Sequence, residues 1–274
     1  MACVHTRTRI VLARCFCLVL LLAAASACSS APKSPPVGAE EPDKFLHEHG
    51  NAALKDKRWF AAREYFRQLV DSYPQSNFRA DAKLGIGDSY LGEGSAEGQV
   101  MAINEFKEFL AYYPTHDRAH YAQFQLGMAH FKQMRGSNRD QTETRDAITE
   151  FSAYVQRYPN GPLIADAKAR LREAKDRLSE SEYNVGYFYL RSRTSLPGAI
   201  DRFAGILKTD PDYTRRDAVY YQMAQALVLV GQPAAAIPYL DKLVTDFEVS
   251  EYLEPARTQL AELKAQMQAQ IKKN

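Results

Sequence analysis

One 13-residue pattern recurs five times without gaps, and no other feature constrains the fold of this 274-residue chain as tightly. The segments are AREYFRQLVDSYP (62–74), AINEFKEFLAYYP (102–114), AITEFSAYVQRYP (147–159), AIDRFAGILKTDP (199–211) and AIPYLDKLVTDFE (236–248). Each opens with Ala, has Phe or Leu at +4, and has aliphatic or aromatic residues at +7 and +8. Positions +4 and +8 stay on one helix face, and the leading Ala permits close approach of a neighbouring helix. Four of the five end in Pro at +12. Proline has no N–H and clashes with the preceding turn, so it stops a helix just past its last residues. Strict two-residue alternation is nowhere sustained, and the reading is all-α.

A second set of helices precedes these blocks. Gly50, Gly87, Gly127, Gly186 and Ala224 are small residues, each with Ala53, Tyr90, His130, Tyr189 or Leu227 three positions on. In the first and last units the small residue lies 12 positions before the block's Ala (50 to 62, 224 to 236). Such helix-turn-helix units resemble tetratricopeptide repeats, and five of them define an α-solenoid. The expected organisation is repeat 1 at 43–77, repeat 2 at 78–116, repeat 3 at 117–161, a long helix with repeat 4 at 162–212, and repeat 5 at 213–249. Insertions fall in the glycine-rich or polar stretches 92–98 and 136–143, as loops should. From Pro162 to Arg191 nothing breaks the helical pattern, and Leu163, Ala167, Leu171, Leu178, Val185 and Tyr189 mark an apolar seam. One helix of about 45 Å would join the front repeats to the back ones. Residues 250–274 carry enough polar side chains to form a solvating C-terminal cap.

The N-terminus reads as an address. Arg7, Arg9 and Arg14 precede an apolar run too short to span a bilayer, which ends in small residues before Cys28. All four cysteines (Cys3, Cys15, Cys17, Cys28) lie within this segment, so the body has no thiol nucleophile, disulfide framework or zinc-cysteine site. Ordinary cleavage near Ala27 is one reading of residues 1–27. However, LAAASAC (22–28) resembles a bacterial lipobox, which implies a diacylglyceryl group on the Cys28 sulfur, cleavage after Ala27 and an N-acyl chain. Several acyl chains on one residue hold a membrane firmly. Ser29 after the cysteine resembles the signal that sorts bacterial lipoproteins to the outer membrane. Residues 28–42 are small, polar and proline-rich, an extended tether. The leader takes away three Arg and no acid, so 35 basic against 33 acidic residues becomes a mature balance near −1, with no basic excess for nucleic acid.

Lipobox, tether, five repeats, three of them with Tyr-Pro ends, and a joining helix together resemble the BamD family of outer-membrane β-barrel assembly lipoproteins. Residues 145–190 (RDAITEFSAYVQRYPNGPLIADAKARLREAKDRLSESEYNVGYFYL) and AIDRFAGIL (199–207) carry the match. The resemblance implies a non-enzymatic, lipid-anchored scaffold on the periplasmic leaflet of the outer membrane. It implies a POTRA-bearing, BamA-like partner at the back half and unfolded barrel precursors at the front half, and it admits smaller accessory lipoproteins. The competing reading is another tetratricopeptide envelope lipoprotein, such as a constriction coordinator or a secretion pilotin.

The first helices of a tetratricopeptide array line a concave groove. That face is Asp81, Leu84, Asp88 and Leu91 in repeat 2, and Tyr121, Phe124, Met128 and Phe131 in repeat 3. These residues would dock an extended peptide, or else pack against the long helix as core. Tyr183, Tyr187 and Tyr221 continue the face under the same two alternatives, and Tyr183 and Tyr187 are candidate partner contacts beside Arg202. Arg202 points away from the Ala199–Phe203 seam, as a partner contact or a solvated surface Arg. His116 and His120 have helical i,i+4 spacing, but no nearby acid completes a ligand set, so no metal site is expected. No catalytic residues or cofactor are expected either, because the carboxylates alternate with Lys and Arg as on a solvated face.

Overall fold

The structure, a computed structural model, describes residues 34–273; the leader and Cys28 lie outside them. The described residues form eleven α-helices and no strand. They divide into two compact units, one ending at Glu93 and one beginning at Gly94.

The first unit holds α1 (Pro42–Lys55), α2 (Trp59–Ser72) and α3 (Arg79–Glu93), each packed on the other two. Leu46, Ala53, Ala62, Phe66, Leu69, Ala82 and Leu84 are fully enclosed. The second unit holds α4 (Ala96–Tyr112), α5 (Ala119–Phe131), α6 (Thr142–Arg157), α7 (Ile164–Ser192), α8 (Leu196–Thr209), α9 (Arg216–Leu229), α10 (Pro233–Asp246) and α11 (Leu253–Lys273). Here each helix packs on the next, and α6, α8 and α9 all lean on α7 or on each other.

The repeating block explains this packing residue by residue. The five leading alanines (Ala62, Ala102, Ala147, Ala199, Ala236) and the five +4 residues (Phe66, Phe106, Phe151, Phe203, Leu240) are all 0% exposed. A Cβ added to Gly127 would lie 2.8 Å from Phe151 Cε1, and one added to Gly186 would lie 2.8 Å from Phe203 Cε1. The small residue of one helix thus seats the large +4 side chain of the next, at a separation only glycine allows. The +7 residues Leu69, Phe109, Tyr154, Ile206 and Leu243 complete the buried stripe, while Leu110, Val155, Leu207 and Val244 at +8 are half-buried.

Helix ends follow the Pro signal. Tyr73, Tyr113, Tyr158 and Asp210 each stand between the last helical residue and Pro, with φ of −129°, −128°, −127° and −140°. A following Pro ring pushes its predecessor out of the helical region, which fixes the stop.

The long helix α7 runs over 29 residues, close to the expected span. Its buried face differs from the expected seam: Ala167, Ala174, Ser179, Tyr183, Gly186 and Leu190 are enclosed, whereas Val185 and Tyr189 are half-buried. A seven-residue seam drifts by roughly 20° per heptad on a 3.6-residue helix. The stripe therefore walks from a core shared with α6 (Ala147, Phe151, Tyr154) to one shared with α8 and α9 (Phe203, Ile206, Val219, Met223). At the chain's end, α11 packs Leu253, Ala256, Leu260 and Leu263 inward. No described helix is long and apolar enough to cross a membrane.

Candidate partner-binding cleft and aromatic face

The α7–α8 helix pair supports a cleft of about 920 Å³, walled by α6, α7 and α8. Its position follows from local chemistry. Ser195 caps α8 by accepting the Gly198 N–H at 3.2 Å, and Pro197 sits in the first turn, where it needs no donor. The chain then runs back along α7, with Gly198 and Gly205 lining the cleft. A Cβ at Gly205 would meet nothing within 4 Å, so the wall is low there.

The floor is tied down by a buried acid. Asp210, 5% exposed, accepts from Arg172 Nη1 at 2.8 Å, from Arg172 Nη2, and from Ser179 Oγ at 2.7 Å. Burial alone would raise its pKa, but the Arg172 and Ser179 hydrogen bonds outweigh it and hold the carboxyl below the ordinary range. Arg172 also reaches Asp176 at 3.0 Å, and Asp176 accepts the Thr214 N–H at 3.0 Å. Tyr213 donates to Glu180, which also takes Arg215 at 2.9 Å. Burial followed by the Glu180 contact raises the Tyr213 phenol pKa, so it stays a donor. These bonds clamp α7 to the turn between α8 and α9.

The rim is chemically different. Arg202 pairs with Glu182, but the two side chains are 44% and 34% exposed. An exposed pair contributes about 0–1 kcal/mol, so a partner's carboxylate could replace Glu182 at little cost. Arg145 and Lys175 add positive charge to the same cleft, and Ile148, Leu178 and Tyr189 add apolar lining. The sequence singled out Arg202 but not Glu182, Lys175 or Arg145, because spacing does not show which helices face one another.

Tyr183 and Tyr187 stack at 5.9 Å with rings 9° apart. Tyr183 is buried at 6% exposure, under Arg215 at 5.4 Å and against Phe203, which corrects its reading as a partner contact: it packs as core. Tyr187 is 37% exposed and Phe188 62% exposed, so they present the accessible apolar surface of α7. Tyr221 is half-buried and stacks on Tyr252 at 4.9 Å.

The expected groove set separates into two groups. Leu84 and Leu91, at 0% and 5% exposure, are closed to any ligand, which corrects their placement on a groove. The reason is that α3 is apolar or small on nearly every side and is buried on nearly every side. Asp81 and Asp88 are half-buried. Phe124, Met128 and Phe131 pack against the core of α6 and α7 while remaining half-exposed. Phe124 meets Phe151 at 5.7 Å and Tyr154 at 6.0 Å, and Phe131 meets Phe151 at 6.0 Å beneath Arg170 at 5.2 Å. Tyr121 accepts from Gln125 at 2.8 Å and lies under Arg118 at 4.7 Å. The His pair does not converge: His116 accepts the Arg118 N–H at 3.1 Å, whereas His120 meets the edge of Tyr158.

Repeated helix hairpins with an accessible charged cleft and aromatic ledge define an all-α helical-repeat protein. Within that class, a family model described as "Outer membrane lipoprotein" (YfiO) matches residues 39–236, and the chain belongs to this family. It is similar to the outer membrane protein assembly factor BamD of Caulobacter vibrioides, 29% identical over 78% of this chain and 69% of the relative. It is also similar to BamD of Vibrio cholerae serotype O1, 28% identical over 71% of this chain and 82% of the relative. BamD of Neisseria meningitidis serogroup A is 24% identical over 77% and 81%. Among solved structures, a MamA crystal structure aligns at 16% identity with a TM-score of 0.33, over 77% of this chain and 98% of that one, a score too low to define a shared fold.

Proposed function

We propose that this protein is a non-enzymatic scaffold for assembling β-barrel proteins into the outer membrane, held there by acyl chains on Cys28. Family membership over residues 39–236, with relatives named as assembly factors, carries the reading. In this account the mature chain sits on the periplasmic leaflet. The cleft at Arg202 and the ledge at Tyr187 and Phe188 take a POTRA-bearing, BamA-like partner, and the half-exposed Phe124, Met128 and Phe131 of repeat 3 engage barrel precursors. The exchangeable Arg202–Glu182 pair suits such a role, because a surface ion pair gives a partner specificity without much competing stability.

Affinity capture of the full mature chain from detergent-solubilised envelopes tests this reading. Recovery of a POTRA-containing barrel protein, reduced by Arg202→Glu, is the expected result. Capture without that protein, or capture indifferent to Arg202→Glu and to Tyr187→Ala, would refute the partner assignment.

A further inference from the structure

Away from the cleft, α5 and the start of α6 bring together three side chains of the metal-ligand type. His130, in the last turn of α5, is 5% exposed. Its Nδ1 lies 2.8 Å from Glu143 Oε2 and 3.9 Å from Asp146 Oδ2. One donor atom from each residue lies within 4.8 Å of the others, and among the described residues this is the one group of three or more His, Cys, Asp or Glu so arranged.

We propose that His130, Glu143 and Asp146 form a divalent transition-metal site of the zinc class. The donor set is one imidazole nitrogen and two carboxylate oxygens, which zinc accepts with bonds of about 2.0–2.2 Å and a fourth position for water. Tetrahedral bonds of that length place ligand atoms roughly 3.4 Å apart. The observed 2.8 and 3.9 Å bracket that separation. The imidazole is fixed by burial, whereas the Glu143 and Asp146 side chains are 36% and 49% exposed and free to adjust. Charge points the same way. Two carboxylates beside one imidazole make an acidic donor set, whose charge a divalent cation balances. The positive end of the α6 dipole opposes a cation there, but it amounts to roughly half a charge against two carboxylates. Because the ligands come from two helices, the ion would staple the α5–α6 hairpin.

Zinc titration of the full mature chain tests the site, with the protein purified without a histidine tag and stripped with EDTA. One equivalent should bind by calorimetry, and Co²⁺ should give the visible absorption of a four- or five-coordinate ion. At a hundredfold excess over Kd the Tm should rise by roughly 5–10 °C. Glu143→Gln and Asp146→Asn should each weaken binding at least about tenfold while leaving the metal-free Tm within about 2 °C. These two variants avoid the buried position and so keep the test independent of folding. Absence of saturable binding in the micromolar range would overturn the proposal. So would affinity unchanged in both carboxylate variants, or affinity lost when His116 and His120 are replaced instead.

Discussion

Replacing Asp210 with Ala measures how firmly the floor of the cleft holds α7 to the α8–α9 turn. The carboxylate is 5% exposed and accepts three hydrogen bonds, two from Arg172 and one from Ser179. Breaking a buried ion pair by deleting one partner costs about 3–5 kcal/mol, because the other charge is left stranded. Arg172 is 29% exposed and keeps Asp176 at 3.0 Å, so it is only partly stranded and the loss falls at the low end, about 3 kcal/mol. A unit of this size shifts by about 2–4 °C per kcal/mol, so Tm should fall by about 6–12 °C. Thermal unfolding by circular dichroism, run with Arg172→Met and the double variant, completes the cycle and should give a coupling of at least about 1 kcal/mol. A fall under about 2 °C, or additive single effects, would show that the clamp is not what holds this junction. Acid adds an independent check. The folded Asp210 pKa lies below its ordinary 3.8. Its contribution is complete above the ordinary value and is lost as pH falls through the folded one, so stability should drop steeply in that window. Asp210→Asn should flatten that part of the curve.

Other consequences are equally direct. Gly186→Ala places a Cβ 2.8 Å from Phe203 Cε1 and should cost about 1–3 kcal/mol, read as a lower denaturation midpoint; a neutral result would mean that α7 and α8 pack less tightly than described. Phe124→Ala should destabilise by about 2 kcal/mol, half the cost of a fully buried Phe, since it stands between Phe151 and Tyr154. An unchanged Tm with weaker binding of barrel-precursor peptides would instead make Phe124 a ligand contact alone. Cys28→Ala should release the protein into the soluble periplasmic fraction; persistence on the membrane would exclude the acyl anchor. Glu182→Gln should leave Tm within about 1 °C, because the Arg202 pair is a surface one, and a larger loss would contradict its treatment as exchangeable.

Much of the fold is written locally. Each block's Ala and its +4 residue are spaced so that one helix face carries both, and all ten of these positions are fully enclosed. The Tyr-Pro and Asp-Pro stops are steric facts about adjacent residues, which is why the helix ends fall where the sequence places them. Sites were less legible. Leu84 and Leu91 share a helix face with Asp81 and Asp88, and spacing alone cannot say which sides of α3 meet other helices. Tyr183 and Tyr187 are one turn apart with the same chemistry, yet the first is buried and the second exposed. His130 gave a signal only as the aromatic partner three positions after Gly127. Its carboxylate neighbours come from the next helix, at separations of 13 and 16 residues that no motif marks.

The sequence by itself determined the all-α character, the buried Ala and +4 positions of the five blocks, the Pro stops and the long joining helix, because these depend on short-range periodicity and steric stops. The tertiary structure decided which way each helix turns: where the α7 stripe changes partners, which aromatic faces solvent, and which distant charges meet at Asp210, Arg202 and His130. Burial and ion pairing are properties of neighbours in space, and a period of 3.6 residues fixes a face without naming what will cover it.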